Sequence, residues 1–158
     1  MLCLAQLRPK KEIETLLNKI NFSFMIEIMS KSHIYKLKVF VEDVDFGRVF
    51  YSRYLQYIER ARTELIYEKF GLTLTQLMKE HDIMFVVRTC NIKYLKSAVF
   101  EDNLSVETTV LKKTNVRLNL LQEVKRDVEI LVRAEVELAV VDRSGSIKKL
   151  AKDFFVKI

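Results

Sequence analysis

The sequence predicts an α+β fold, with one long helix laid against an antiparallel sheet. Two observations carry this reading. Residues 51–70 hold a single apolar stripe at helical spacing that ends at a glycine. From residue 83 onward the chain runs in about five strand-like segments divided by polar turns. One helix with one apolar stripe, covering a sheet, is an α+β layer arrangement.

The elements follow in order. Tyr35 to Glu42 reads as a strand with partial alternation, and a polar turn follows at Asp43-Val44-Asp45-Phe46-Gly47. In the long helix Tyr54, Leu55, Ile58, Ala61 and Leu65 form the stripe, with Gly71 as its C-cap. A second short helix is expected over 73–81, capped by Thr73 or Thr75. Ile83, Phe85 and Val87 then alternate with Met84, Val86 and Arg88. Strands follow at 104–112 and 116–126, separated by Lys113-Thr114-Asn115. From Ile130 to Val140 the even positions are apolar, while Arg133, Glu135 and Glu137 face the other way, so one face is wet. Asp142-Arg143-Ser144-Gly145 is the clearest turn, and a last strand is expected near 147–157.

The 158 residues suit one domain, with apolar residues at 49% and charged residues at 30%. Residues 1–28 read as an extension and 29–158 as a single domain. Ile13, Leu16, Leu17 and Ile20 would give the extension an amphipathic helix. The simpler reading is an appendage outside the core, or initiation at Met25 or Met29. No apolar stretch approaches the ~18–20 residues of a membrane span. Arg8, Lys10 and Lys11 follow the short apolar start instead of preceding it, which is not the layout of a signal peptide. The expected location is therefore the cytoplasm. Two cysteines, Cys3 and Cys90, and two isolated histidines, His33 and His81, do not make a disulfide framework or a metal site. Cys90 reads as a core residue. The net charge of +6 suits an anionic partner. The cations are spread along the whole chain, which argues against a nucleic-acid binder.

The chemistry centres on one segment. Asp45 precedes the long helix, whose first-turn amides lack intrahelical partners and carry partial positive charge. Such a terminus can stabilise an oxyanion, and a carboxylate beside it can act as nucleophile or base. From spacing alone the plainer reading is favoured, in which Asp43 or Asp45 is a turn or helix-capping residue. Arg48 follows Asp45 by three residues, which brings a cation across the turn from it.

The segment Glu42-Asp43-Val44-Asp45-Phe46-Gly47, then Val49-Phe50-Tyr51, Tyr54-Leu55 and Glu59-Arg60-Ala61-Arg62-Thr63-Glu64, resembles a known family. It is similar to the hot-dog acyl-CoA thioesterases of the 4-hydroxybenzoyl-CoA thioesterase type, nearest the branch associated with the bacterial Tol-Pal envelope system. Phe85-Val86-Val87-Arg88 also looks like that branch, and the resemblance covers about residues 35–157. Arg48 stands where the family has a glycine, and Ser52 where it has a histidine.

The resemblance implies a hot-dog fold: a long central helix wrapped by a curved antiparallel sheet of about five to six strands. It implies an acyl-CoA substrate, with acyl carrier protein thioesters as a second option, and a homodimer or homotetramer with the site between subunits. It makes Asp45 the catalytic carboxylate, with the amide at Ser52 polarising the thioester carbonyl. No cofactor is called for. Lys112, Lys113 and Arg117 flank a hairpin turn and are candidates for holding the phosphates of CoA, or form a solvated basic turn. Glu59, Arg60, Arg62 and Glu64 read as structural or interface residues. The competing readings are a non-catalytic hot-dog module that binds acyl-CoA or a protein, and a hot-dog dehydratase. The dehydratase would want a His-Glu pair, which the positions of His33 and His81 do not offer.

Overall fold

A computed structural model describes residues 32–150. The extension expected at 1–28, and the greater part of the strand expected near 147–157, lie outside the described residues. Strand β1 (His33–Lys38) leads into a 3-10 turn (Val41–Asp43) and a short ribbon, β2 (Val44–Asp45) and β3 (Arg48–Val49). Helices α1 (Tyr51–Phe70) and α2 (Leu74–His81) follow, then β4 (Met84–Tyr94), β5 (Asn103–Lys113), β6 (Arg117–Arg126) and β7 (Glu129–Val141). The five long strands form one sheet in the order β1-β5-β6-β7-β4, with every neighbouring pair antiparallel.

Alternation decides which face of the sheet is covered. Leu104 and Val106 on β5, Leu118, Leu120 and Val124 on β6, and Val132, Ala134, Val136, Leu138 and Val140 on β7 are all buried. They form the floor on which α1 lies. The helix, about 30 Å long at its ordinary rise, buries Tyr54, Tyr57, Ile58, Ala61, Leu65, Ile66 and Phe70 in that floor. Each fully buried side chain of this size stabilises the fold by about 1.5–3 kcal/mol. Leu55, placed in the stripe by its spacing, is instead exposed.

The sheet curves because its ladders slip. Register shifts lie between Val87 and Thr89, Val110 and Lys112, and Val124 and Lys125. Each adds a residue to one strand, which bends it and increases its twist. The bends wrap the sheet around the helix.

The ends of α1 and α2 match their sequence signals. Gly71 takes the left-handed conformation (φ 63°), and its amide donates to the Tyr67 carbonyl at 2.9 Å. Thr73 caps α2 by accepting from the Gln76 amide at 3.2 Å. Two expectations shift. The first strand ends at Lys38 rather than Glu42, because the Asp43 carboxylate accepts from the Phe40 amide at 3.0 Å and folds that stretch into a 3-10 turn. After the Asp142–Gly145 turn, Ile147 makes a single bridge to Val141, and no strand forms among the described residues that follow it.

One polar group sits in the floor. Gln122 is fully buried, and its Nε2 donates to the Ile58 carbonyl at 3.1 Å and to Thr108 Oγ1 at 3.0 Å. Its Oε1 accepts from Arg62 Nη1 at 3.1 Å. Arg62 also pairs with Glu59, the i, i+3 partner expected from the sequence. Burial lowers the guanidinium's affinity for its proton, and Glu59 offsets this. This cluster ties the middle of α1 to β5 and β6. Gln122→Leu should lose about 1–3 kcal/mol of stability in urea unfolding, because Arg62 Nη1 and Thr108 Oγ1 lose their buried partner. An unchanged midpoint would show that the cluster does not anchor the helix.

Candidate active site

The site is built at the N-terminal end of α1. In the β2–β3 ribbon Val44 faces Val49 and Asp45 faces Arg48. The two residues between, Phe46 and Gly47, both have positive φ (48° and 77°). That is the backbone of a type I′ turn, which a glycine adopts freely and a phenylalanine does not. The left-handed region costs a non-glycine residue roughly 1–2 kcal/mol. Asp45 therefore stands at the tip of a tight hairpin, exposed to solvent. Arg48 is its cross-strand neighbour, yet the two side chains form no ion pair.

The ribbon is pinned on two sides. Arg48 bridges to Val99, and the Val49 amide donates to the Ala98 carbonyl at 2.9 Å. The Ala98 amide in turn donates to the buried hydroxyl of Tyr54 at 2.7 Å. On the other side stands Asp43, buried to 7% exposure. Its carboxylate accepts from the Phe40 amide, and its carbonyl accepts from the Phe50 amide at 3.0 Å. Arg53, in the first turn of α1, donates from Nη2 to the Glu42 carbonyl at 2.8 Å and holds its Nε 3.9 Å from the Asp43 carboxylate. The two aspartates thus differ in kind. Asp43 is a buried anchor with all its contacts inward, and Asp45 is an open carboxylate.

The helix beside them begins without a side-chain cap. Phe50 is the N-cap residue and lends no side-chain acceptor. The Phe50 amide is used by Asp43, and the Arg53 amide donates to the Phe50 carbonyl at 2.9 Å. The amides of Tyr51 and Ser52 have no acceptor among the described residues. Ser52 itself is half-buried. Free amides and partial positive charge at a helix terminus suit an anionic or strongly polarised oxygen.

An aromatic wall completes the surroundings. Phe50 and Tyr51 have ring centroids 4.5 Å apart, Tyr51 meets Tyr94 edge-on at 6.3 Å, and Tyr94 meets Tyr54 at 5.9 Å. Burial raises the phenol pKa values of Tyr54, Tyr57 and Tyr94 above the ordinary value. For Tyr57 the nearby Asp43 carboxylate adds to the shift. That contact is electrostatic rather than a formed hydrogen bond, since the Tyr57 hydroxyl has no partner. Tyr54 and Tyr94 in the wall therefore hold their protons more tightly than free phenols and add no charge to compete with Asp45.

An exposed carboxylate, free helix-terminal amides and an aromatic wall suit attack on a carbonyl whose oxygen becomes negative. Comparison with known proteins agrees with this chemistry. Residues 46–133, more than half of the chain and beginning one residue past Asp45, match the model of the thioesterase superfamily. The chain belongs to the thioesterase superfamily. It is 36% identical over 118 residues to the acyl-CoA thioesterase YbgC of Haemophilus influenzae, covering 74% of this chain and 85% of that protein. It is 32% identical over 108 residues to the acyl-CoA thioester hydrolase YbgC of Escherichia coli, covering 67% and 79%. Among solved structures, a probable thioesterase from Bartonella henselae superposes with a TM-score of 0.71 at 29% identity, covering 77% of this chain and all of that one. The central helix and five-stranded sheet are the hot-dog fold of that superfamily.

The other candidate residues are not gathered here. Lys112, Lys113 and Arg117 flank the β5–β6 turn, where the Thr114 amide donates to the Arg117 carbonyl at 2.8 Å. The ribbon pairs with residues just before β5, so the length of β5, about 33 Å, separates them from Asp45 within one chain. Arg117 lies 3.8 Å from Glu137. Cys90 is exposed rather than core, because it sits on the edge strand β4. Among the described residues no group of three His, Cys, Asp or Glu side chains is placed to hold a metal ion. No helix among them is long and apolar enough to cross a membrane. Sequence reasoning missed Arg53 as a brace and Tyr94 as part of the wall. Neither has a local signal, since both meet their partners only through the fold.

The contrast between the aspartates gives a direct expectation. Asp43→Ala should cost about 1–3 kcal/mol of stability, as it removes a buried carboxylate that holds the Phe40 amide and faces Arg53. Asp45→Asn should stay within about 0.5 kcal/mol of the parent, as a surface change does. Equal losses in chemical unfolding would contradict the division between anchor and open carboxylate.

Proposed function

We propose that the protein hydrolyses acyl-CoA, with Asp45 as the carboxylate that drives the reaction and the amide of Ser52 polarising the thioester carbonyl. The observation that carries this is the exposed Asp45 carboxylate at the end of α1 where two amides are free. As base, Asp45 takes a proton from water while the water oxygen bonds to the thioester carbon. As nucleophile, its oxygen bonds to that carbon and the resulting anhydride is opened by water. Either route breaks the carbon–sulfur bond and yields a free acid and the CoA thiol. Negative charge builds on the carbonyl oxygen in both, and the helix terminus stabilises it. The thioester of an acyl carrier protein presents the same bond and is the second substrate class. A CoA ester substrate is compatible with the cytoplasmic location expected from the sequence.

The reading includes a second copy of the chain. β4 is an edge strand with an unpaired side, and Val86, Val87 and Tyr94 are exposed along it. An edge strand of this length is a template on which another chain can pair. Two copies paired antiparallel through β4 would bring the Met84 end of one beside the Tyr94 end of the other. Arg117 pairs with Ala139, which pairs with Val86, so the β5–β6 turn lies toward the Met84 end. Lys112, Lys113 and Arg117 of the partner subunit would then approach this site, where they could hold CoA phosphates. A homodimer is thus the minimal active unit, and a homotetramer is a pair of them. Residues 29–158 form the catalytic domain in this reading, and 1–28 an extension with no catalytic group.

Asp45→Asn should lower hydrolysis of acyl-CoA by ~10²–10⁴-fold in a free-thiol assay, with circular dichroism unchanged. Full activity in that variant would overturn the assignment. Light scattering should report a dimer or larger, and an active monomer would refute the shared site. A chain lacking 1–28 should keep its activity, and loss of both activity and solubility would place the extension in the core or interface.

A further inference from the structure

Phe46 bears two costs with no return inside the chain. Its backbone is left-handed (φ 48°), in a turn that asparagine or aspartate before glycine would fill with less strain. Its side chain is 99% exposed and makes no ring contact among the described residues, unlike Phe50, Tyr51, Tyr54 and Tyr94. A bulky residue at positive φ is an outlier that points to a role outside folding. Its place in the chain narrows that role, because Asp45 precedes it by one Cα–Cα step of about 3.8 Å.

We infer that Phe46 is a specificity-determining residue, whose ring packs on the acyl group of a thioester held at Asp45. This rests on the reading of Asp45 given above. A thioester presents two arms at its reacting carbon. The pantetheine arm carries amides that need hydrogen-bond partners, and a phenyl ring supplies none. The acyl arm is apolar and needs only to be covered. A ring fully in water beside the carboxylate gains its burial when that arm arrives. The substrates favoured by this residue therefore carry an apolar body of several carbons or a ring, not an acetyl group. The other candidate occupant, a second copy of the chain, would bury Phe46 whether or not substrate is bound.

The test compares the full-length parent with Phe46→Asn on acetyl-CoA and octanoyl-CoA, alongside thermal unfolding, light scattering and the affinity of a non-hydrolysable octanoyl-CoA thioether. Asn-Gly is the better turn, so the variant should melt about 2–4 °C higher. Its kcat/KM for octanoyl-CoA should fall about tenfold or more, chiefly through KM, while that for acetyl-CoA stays within about twofold. The thioether should bind about tenfold more weakly. Equal changes on both esters, unchanged thioether affinity, a fall in melting temperature, or loss of the oligomer with the chain-length preference kept would overturn the inference. A parent that hydrolyses neither ester would count against Asp45, and the thioether affinities would still decide the case for Phe46.

Discussion

The seating of α1 in the concave face of the sheet is the constraint on which the rest of the molecule depends. A helix of twenty residues with one apolar face has one way to bury it here, against the inward residues of β5, β6 and β7. Register shifts in three ladders bend the strands around it, and the buried Gln122–Arg62 contact fixes it along its axis. Once the helix is seated, its N-terminal end has to emerge beside the loop between β4 and β5. The Tyr54 hydroxyl meets the Ala98 amide there, and the short ribbon is held between that loop and Asp43.

The same geometry separates structural from reactive charge. Asp43 spends its carboxylate on the Phe40 amide and its carbonyl on the Phe50 amide, so it is consumed in holding the chain at the helix terminus. Asp45, two residues on, passes the end of the 3-10 turn and projects from the hairpin. Nothing in the fold needs its charge. The unpartnered amides of Tyr51 and Ser52 are likewise surplus to the fold, since a capping side chain at Phe50 would have satisfied one of them. A surplus carboxylate and surplus donors at one helix end, beside uncharged aromatic rings, form the ground for the proposed thioester chemistry.

Much of this was legible in the sequence because it rests on local signals. The span of α1, its stop at Gly71, a threonine cap at Thr73 or Thr75 and the approximate spans of β5 to β7 follow from periodicity and turn chemistry. The pairing of Glu59 with Arg62 follows from helical spacing. What escaped depends on contacts between distant segments. β1 stops early because the Asp43 side chain reaches back to Phe40, a choice that alternation does not reveal. Leu55 and Cys90 look like core by pattern, yet both are exposed, Cys90 on the edge strand β4. The separation of Lys112, Lys113 and Arg117 from Asp45 is a matter of strand length and direction, which the pattern does not link to the helix terminus.

The central claim is that a thioester carbon rests against Asp45 with its oxygen at the free end of α1. A crystal structure of the Asp45→Asn protein with intact acyl-CoA tests it most directly. The account predicts the carbonyl oxygen about 2.7–3.1 Å from the Ser52 amide. It also predicts the carbonyl carbon about 3–3.5 Å from the side chain at position 45. A thioester bound elsewhere, with the amides of Tyr51 and Ser52 facing water, would contradict it.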